Sequence, residues 1–150
     1  MTVEIKKLLS KENVVFLNTQ DMESTIEVLS EKAEEIGCIS SKDEFKEAIL
    51  EREGLVSTGI GFGIAMPHAK LENISEFFMI IGINKKGIDW DAIDRKPVVA
   101  VFLIGGPSNQ QKKYLQIIAK LMLLIKNSER REKLLNAKEE KEIVEIFQDF

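Results

Sequence analysis

Two runs of almost unbroken apolar residues constrain the fold of this chain more than any other feature. They occupy residues 77–83 and 98–104, and neither alternates polar with apolar positions. A strand with one face in water alternates, whereas a strand covered on both faces reads as a continuous apolar run. Both segments are therefore predicted to be buried strands with helices over each face, the α/β sandwich class.

Helical patterns and capping signals complete this prediction. Thr19 is the predicted N-cap of a first helix that Gly37 ends, and Ser41 opens a second with a capping-box sequence. The other predicted elements are a strand at 14–17, the end of the second helix near Glu53, a long, largely enclosed helix from about Asn109 to Lys126, a helical turn near 130–135, and a final amphipathic helix with Ile143, Ile146, Phe147 and Phe150. Without a repeat or linker, residues 1–150 are expected to form a single domain.

Charge and cysteine content exclude several classes of function. A net charge of -4 and a pI near 5.2, with no clustered basic face, argue against a nucleic-acid partner. No apolar run has the length of a membrane span, and the N-terminal residues lack the apolar core of a signal peptide, so no membrane insertion and a cytoplasmic location are expected. Cys38 is the one cysteine and is expected to be a small packed residue. One histidine and one cysteine do not make a usual zinc site, and no metal or cofactor is expected.

The one histidine of the sequence, His68, lies in a segment suited to phosphate. Residues 54–70 are 17 positions without an Asp or Glu, in a chain with 25 acidic residues, and Arg52 and Lys70 flank them. A carboxylate there would repel a phosphoryl group. A single imidazole with no second histidine acts most simply as a nucleophile that carries a group. The alternative is a histidine that is merely packed or exposed.

Glycines and a proline shape this segment. Gly59, Gly61 and Gly63 predict a loop whose backbone N–H groups can point together at an anion, and Pro67 restricts the backbone next to His68. Their spacing does not fit a dinucleotide-binding fingerprint, and the chain has no P-loop and no esterase elbow motif.

Three polar residues near His68 are candidates for holding the phosphoryl group. Arg52 has a planar guanidinium that pairs with phosphate in two places, although a surface ion pair within Glu51-Arg52-Glu53 is an equal alternative. Ser57 and Thr58 have hydroxyls that can donate to phosphate oxygens. Hydroxyls in turns more often bond the local backbone, so that alternative stays open.

Apolar residues alternate with small ones through the same segment. These are Ile60, Phe62, Ile64 and Met66. Some are expected to join the core, and any that face outward would form an apolar ring around His68, suited to brief docking of another protein.

Two blocks of sequence resemble a known family. The first is Arg52-Glu53 followed by Ser57-Thr58-Gly59-Ile60-Gly61-x-Gly63-Ile64-Ala65-x-Pro67-His68-x-Lys70, and the second runs from Ile88 to Val98. Together they resemble the type 2 enzyme IIA domain of the bacterial phosphoenolpyruvate:sugar phosphotransferase system, nearer its fructose and nitrogen-regulatory branches than its mannitol branch.

The resemblance implies a mixed sheet between helices and a phosphocarrier function. It implies that His68 accepts a phosphoryl group from histidine-phosphorylated HPr, or from its nitrogen-branch counterpart, and passes it to an enzyme IIB of a sugar transporter. It also implies that Arg52 supports the phosphohistidine. The alternative within the family is a regulatory binding module, whose phosphorylation at His68 switches affinity for a partner protein without sugar transport.

The sequence departs from the family pattern at three positions. Phe62 stands where asparagine is common, and Met66 where isoleucine or valine is common. Tyr114-Leu115 stands where family members often have a His-Leu pair. Tyrosine can donate a hydrogen bond to phosphate but cannot become cationic, so Tyr114 is a candidate auxiliary residue with altered properties. A sensor domain that has lost catalysis is a third, weaker interpretation.

Overall fold

A six-stranded mixed sheet separates two layers of helices. The structure, a computed structural model, describes residues 4–149. In chain order its elements are β1 (Val14–Phe16), α1 (Met22–Glu35), α2 (Lys42–Leu55), β2 (Gly59–Gly61), β3 (Ile64–Ala65), β4 (His68–Leu71), β5 (Phe78–Ile88), β6 (Val98–Pro107), α3 (Gln111–Lys126), α4 (Ser128–Asn136) and α5 (Glu140–Ile146), preceded by short 3-10 turns at Ile5–Leu8 and Lys11–Asn13. The strand order is β1-β5-β6-β3-β2, and β4 also pairs with β6.

The two apolar strands divide their side chains between two hydrophobic cores. Met79, Ile81, Phe102 and Ile104 pack on the face covered by α3, α4 and α5. The intervening residues, Ile80, Val101 and Leu103, pack on the face covered by α1 and α2. Each fully buried side chain of this size contributes about 1.5–3 kcal/mol to folding. The predicted α/β sandwich with a mixed central sheet and helices on both faces is confirmed.

Capping was predicted correctly for one of the first two helices. Ser41 caps α2 by accepting a hydrogen bond from the Glu44 N–H. The predicted cap of α1 was wrong, because Asp21 accepts from the Ser24 N–H at 2.8 Å. The Thr19 hydroxyl instead bonds the Thr25 hydroxyl at 2.6 Å. Gly37 does end α1, in the left-handed conformation.

The glycine-rich segment is not the loop that was predicted. β2 and β3 form a small hairpin, and β3 and β4 lie one after the other along the same edge of β6. Positive φ angles at Gly61, Phe62 and Gly63 make the hairpin turn. The glycines correctly predict a turn. The strands β3 and β4 form because this segment pairs with β6, which its local composition does not indicate.

The long segments on either side of β6 differ in part from expectation. The segment after Gly87 carries several charged residues, which favours a solvated loop, but its Trp90 and Ala92 are buried against the α1–α2 core. In α3, Leu115 and Leu123 are exposed, so this helix is less enclosed than predicted.

The C-terminal region is helical as predicted. The turn expected near 130–135 is the nine-residue helix α4. In the last helix Ile143, Ile146 and Phe147 are buried, while Phe150 lies outside the described residues. Within residues 4–149, none of the helices combines the length and the apolar character needed to cross a lipid bilayer.

Candidate functional site

His68 begins β4, where the backbone is fixed by the central sheet. Its Cα pairs with Ile104 of β6, and the preceding Pro67 carbonyl accepts the Ile104 N–H at 3.0 Å. Pro67 was predicted to restrict the backbone next to His68 through its ring. The hydrogen bond that its carbonyl accepts from β6 holds the same backbone in the sheet. Pairing with the central strand β6 places His68 on a more rigid element than a loop.

The imidazole of His68 has a defined tautomer. Its Nδ1 lies 2.9 Å from the Met66 carbonyl oxygen, which can only accept. Nδ1 therefore carries the proton, and in the neutral ring the lone pair is on Nε2. The side chain is half-buried, and no hydrogen bond to Nε2 comes from any residue that the structure describes. This leaves Nε2 as an available nucleophile.

The surroundings keep this imidazole neutral. Burial lowers the pKa of His68 below its ordinary value of 6.5, because the charged form is poorly solvated. The Met66 hydrogen bond opposes this shift, whereas the positive charges of Arg52 and Lys70 add to it. A neutral ring at physiological pH is the form that attacks phosphorus.

Arg52 lies in the last turn of α2 and acts electrostatically on the site. Its Nη1 donates to the Val56 carbonyl at 2.9 Å. The surface ion pair considered for Arg52 does not form within residues 4–149. Its charge lowers the pKa of both His68 and Tyr114. The guanidinium therefore has donors left for an anion beside His68.

Tyr114 and Lys70 complete the group around the imidazole. The Tyr114 ring lies 5.1 Å from the His68 ring, centroid to centroid, and is tilted by 44°. Burial raises the pKa of Tyr114 to about 12, so its hydroxyl stays protonated and remains a donor. The Lys70 ammonium lies 4.9 Å from the centre of the Tyr114 ring. Sequence reasoning identified Lys70 only as a flanking charge, because the segment was predicted to be a loop. The face that Lys70 shares with His68 follows from the strand β4 that the structure shows.

The predicted phosphate-binding role of Thr58 is not supported by its contacts. The Thr58 N–H lies 3.1–3.2 Å from the two carboxylate oxygens of Glu53, and its hydroxyl also donates to Glu53. Both groups are buried. Ser57 accepts the Gly59 N–H at 3.1 Å, which is the local bond considered for turn hydroxyls. Glu53 belongs to the first family block, but sequence reasoning gave it no role; it holds the end of α2 to the start of β2.

The three glycines have structural reasons that do not involve an anion. A Cβ at Gly59 would lie 2.7 Å from the Ala92 Cα, so only glycine permits this close packing. Gly61 and Gly63 have φ angles of 92° and 74° in the hairpin turn. Their predicted contribution to a phosphate-binding loop around His68 does not fit this geometry.

The hairpin turn also lies away from His68. The Gly63 carbonyl accepts the N–H groups of Val99 and Ala100, whereas the Pro67 carbonyl accepts that of Ile104. A strand advances about 3.3 Å per residue, so roughly 13 Å or more of β6 separates the two levels.

Of the four apolar residues predicted to dock a partner, two are in the core. Ile64 and Met66 are 0% and 4% exposed, so the docking prediction fails for them. Ile60 is partly buried, and Phe62 is exposed at the hairpin turn, away from His68, with the Arg131 guanidinium 4.4 Å from its ring centre. No apolar ring around His68 is built from this segment. Three other apolar residues are exposed near residues of the site: Leu55 and Val56 follow Arg52 in the chain, and Leu115 follows Tyr114. Sequence reasoning did not predict that these three side chains lie at the surface.

The site has no metal-binding character in the part of the chain that the structure describes. No group of three or more His, Cys, Asp or Glu side chains is arranged to hold an ion there. Cys38 is half-buried, and burial raises the pKa of its thiol. The side chains that the structure groups around His68 are a phenol, Tyr114, and a cation, Lys70, with the charge of Arg52 also acting on the imidazole.

A half-buried neutral imidazole whose pKa two cationic side chains help to lower, on a mixed sheet between helix layers, fits the class of proteins that transfer phosphoryl groups. The family model described as "Phosphoenolpyruvate-dependent sugar phosphotransferase system, EIIA 2" matches residues 7–150. The chain belongs to this family and is a phosphotransferase component.

Relatives come from two branches of the family. The chain is 36% identical over 125 residues to the fructose-specific EIIA component of Haloferax volcanii, covering 83% of this chain and 81% of that protein. It is 34% identical over 134 residues to the nitrogen regulatory protein of Klebsiella oxytoca, covering 87% and 81%. It is also 32% identical over 146 residues to the fructose-specific EIIABC component of Bacillus subtilis. That match covers 97% of this chain but only 23% of the longer protein.

The fold agrees with that of solved members. The crystal structure of nitrogen regulatory protein IIA-Ntr from Neisseria meningitidis superposes with a TM-score of 0.89 at 24% identity, covering 96% of this chain and 99% of that one. The chain therefore has the same fold as this solved structure.

Proposed function

We propose that this protein is a cytoplasmic phosphocarrier in which His68 Nε2 is the phosphoryl acceptor. The observation that carries the proposal is the hydrogen bond between His68 Nδ1 and the Met66 carbonyl, which leaves the lone pair on Nε2. Membership of the EIIA family supports a histidine-phosphorylated donor, which is HPr or its nitrogen-branch counterpart. The proposed single domain over residues 1–150 contains every residue that the mechanism needs.

The transfer step is a displacement between two imidazoles. The lone pair on His68 Nε2 forms the new N–P bond as the donor's N–P bond breaks, and the electron pair of the broken bond stays on the donor nitrogen. Positive charge then develops on the His68 ring. The Nδ1–H bond to Met66 becomes charge-assisted at that moment and stabilises the phosphorylated ring.

Arg52 and Tyr114 act on the transferred group. Phosphoryl transfer asks a protein mainly for alignment and for charge stabilisation at the three equatorial oxygens. Arg52 supplies a cation with free donors, and the Tyr114 hydroxyl, kept protonated by its raised pKa, supplies a neutral donor. Neither residue exchanges a proton in the step.

The proposed acceptor is an enzyme IIB of a sugar transporter. The Bacillus subtilis relative is named an EIIABC component, which supports an enzyme IIB as the next carrier after an EIIA. Transfer to it reverses the first step, with His68 Nε2 now the leaving group and its Nδ1 still protonated.

A labelling experiment tests the proposal. We expect incubation with phosphoenolpyruvate, enzyme I and HPr to add one acid-labile phosphate to the wild type and none to His68→Ala, because the chain has no second histidine. His68→Ala should unfold at nearly the wild-type temperature, since the side chain is half-buried and makes one hydrogen bond. A wild type that stays unlabelled with both HPr and the nitrogen-branch donor contradicts the proposal.

A second candidate is a regulatory module, and it is favoured by the 34% identity to the Klebsiella oxytoca nitrogen regulatory protein. Here phosphorylation of His68 switches affinity for a target protein and no sugar is transported. Two experiments distinguish the carrier from the regulatory module. In the first, phosphorylated protein is mixed with an enzyme IIB; in the second, phosphorylated and unphosphorylated protein are fixed on affinity columns and exposed to cell extract. Phosphate transfer to the enzyme IIB indicates the carrier, and phosphorylation-dependent retention without transfer indicates the module.

A further inference from the structure

Lys70 shares a strand face with His68. The two residues are two positions apart on β4, so both side chains point to the α3 side of the sheet. The residue between them, Ala69, is buried in the opposite core with α1 and α2. The register of β4 against β6, with Lys70 opposite Gly106, fixes where the lysine side chain starts.

Helix α3 holds the Lys70 ammonium in place. Nζ donates a hydrogen bond to the Gln111 side-chain oxygen in the first turn of α3. It also lies 4.9 Å from the centre of the Tyr114 ring, one turn further along the same helix. Because the Tyr114 ring contacts the His68 ring, the ammonium, phenol and imidazole form one contiguous group.

This ammonium has no neutralising carboxylate in the described part of the chain. Among residues 4–149, no carboxylate lies within ion-pair distance of Lys70. The first turn of α3 contains no Asp or Glu. The charge therefore acts on His68, whose pKa it helps to lower. An ordered cation without a counter-ion, next to a nucleophile, gains most when an anion arrives.

We propose that Lys70 is a second phosphate-binding cation of the site, and that Gln111 and the Tyr114 ring are positioning residues for its ammonium. This inference rests on the proposed function of His68. Lys70 donates hydrogen bonds to the phosphoryl oxygens while the N–P bond to the donor breaks and the N–P bond to His68 Nε2 forms. It stays protonated throughout. Because Tyr114 cannot become cationic, Lys70 and Arg52 together supply the positive charge.

Substitutions at Lys70 test this with two phosphoryl donors. Lys70→Met removes the charge and keeps an unbranched side chain, whereas Lys70→Arg keeps the charge. Phosphorylation rates are measured with phosphorylated HPr and with phosphoramidate, a small donor that needs no protein docking. We expect Lys70→Met to slow both reactions on the order of tenfold, the effect of losing one charge-assisted hydrogen bond, and Lys70→Arg to stay near wild type.

A matched control separates contact from general charge. Lys113 is in the same first turn of α3, and its ammonium lies 5.6 Å from the centre of another ring, that of Phe77. We expect Lys113→Met to leave both rates unchanged. If it slows them as much as Lys70→Met does, the effect belongs to the overall field and the proposal is overturned.

Two NMR titrations give readouts that a purely structural role would not move. In Lys70→Met the pKa of the unphosphorylated imidazole should rise, and so should the pKa of the phosphoryl group seen by phosphorus NMR in the phosphorylated protein. Unchanged phosphoryl pKa and unchanged rates overturn the role of Lys70. Slowing with HPr alone also overturns it, since Lys70 is then a docking residue. A wild type that neither donor labels at His68 refutes the function of His68 itself.

Discussion

The two halves of the segment from Ser57 to Lys70 differ in what their residues do. In the first half, Gly59, Gly61 and Gly63 build a hairpin that packs on Ala92 and turns back toward β6. In the second half, Met66 and His68 form the hydrogen bond that sets the imidazole tautomer. The difference shows that a contiguous sequence motif can combine a structural part and a chemical part.

The central strand explains why the halves separate. β3 and β4 occupy successive positions along β6, so from Gly63 to Lys70 each residue lies further along the sheet than the one before. The turn glycines Gly61 and Gly63 therefore lie at one level and His68 at another. Substitutions in the first half should affect stability, and those around the second half should affect phosphoryl transfer.

Among variants that keep His68, Arg52→Ala is expected to have the largest effect, and that effect is on transfer. Removing one preorganised donor for developing negative charge typically costs about 10²–10³-fold in rate. We expect a loss on the order of 10²-fold in phosphorylation of His68, with little change in unfolding temperature, measured by stopped-flow labelling and calorimetry. The control is Phe62→Ala in the hairpin turn, which should keep the wild-type rate. Equal slowing by both variants would remove the functional difference between the two halves.

A stability effect is expected from the hairpin half, in Gly59→Val. The new side chain would overlap Ala92, and overpacking of this kind costs about 1–3 kcal/mol in the free energy of unfolding. Urea denaturation measures the loss, and the phosphorylation rate per folded molecule should stay at the wild-type value. A stable Gly59→Val protein that is phosphorylated slowly would place Gly59 in the chemistry after all.

The smallest expected effect is a pH dependence that belongs to His68. Its pKa is lower in the folded protein than the ordinary 6.5, so the unfolded chain binds the proton more tightly. The contribution of His68 to stability is therefore complete above about pH 6.5 and is lost as the pH falls toward its folded pKa. The single histidine signal in proton NMR should titrate with a midpoint below 6.5, and urea unfolding of His68→Gln should vary less with pH below that value. A midpoint above 6.5 would contradict the proposed neutral nucleophile.

Much of the fold could be predicted because it depends on local patterns. Continuous apolar runs gave β5 and β6 and the layer on each face, and Ser41 correctly marked the start of α2. The Thr19 cap failed because two nearby residues were chemically able to cap α1, and only the chain path selected Asp21. The short strands β2, β3 and β4 were missed because two to four residues have no periodicity to read.

The sequence pointed to the proposed nucleophile of the candidate site, but less to the residues around it. His68 and Arg52 were identified from residue type and spacing, and the Met66 carbonyl that orients the ring was not. Thr58 has the chemistry of a phosphate ligand, but its donors are taken by Glu53. A sequence shows which groups a chain has, but it does not show which of them are already bonded.

By itself, the sequence determined which segments are buried on both faces, where the chain turns, and that one imidazole lies in a stretch free of acids. These are local properties of pattern, backbone freedom and charge. Only the tertiary structure decided that Tyr114 and Lys70 meet beside His68, and that Ile64 and Met66 point into the core. The physical reason is that such contacts join elements far apart in the chain, and the packing of α2 and α3 against the sheet sets their geometry.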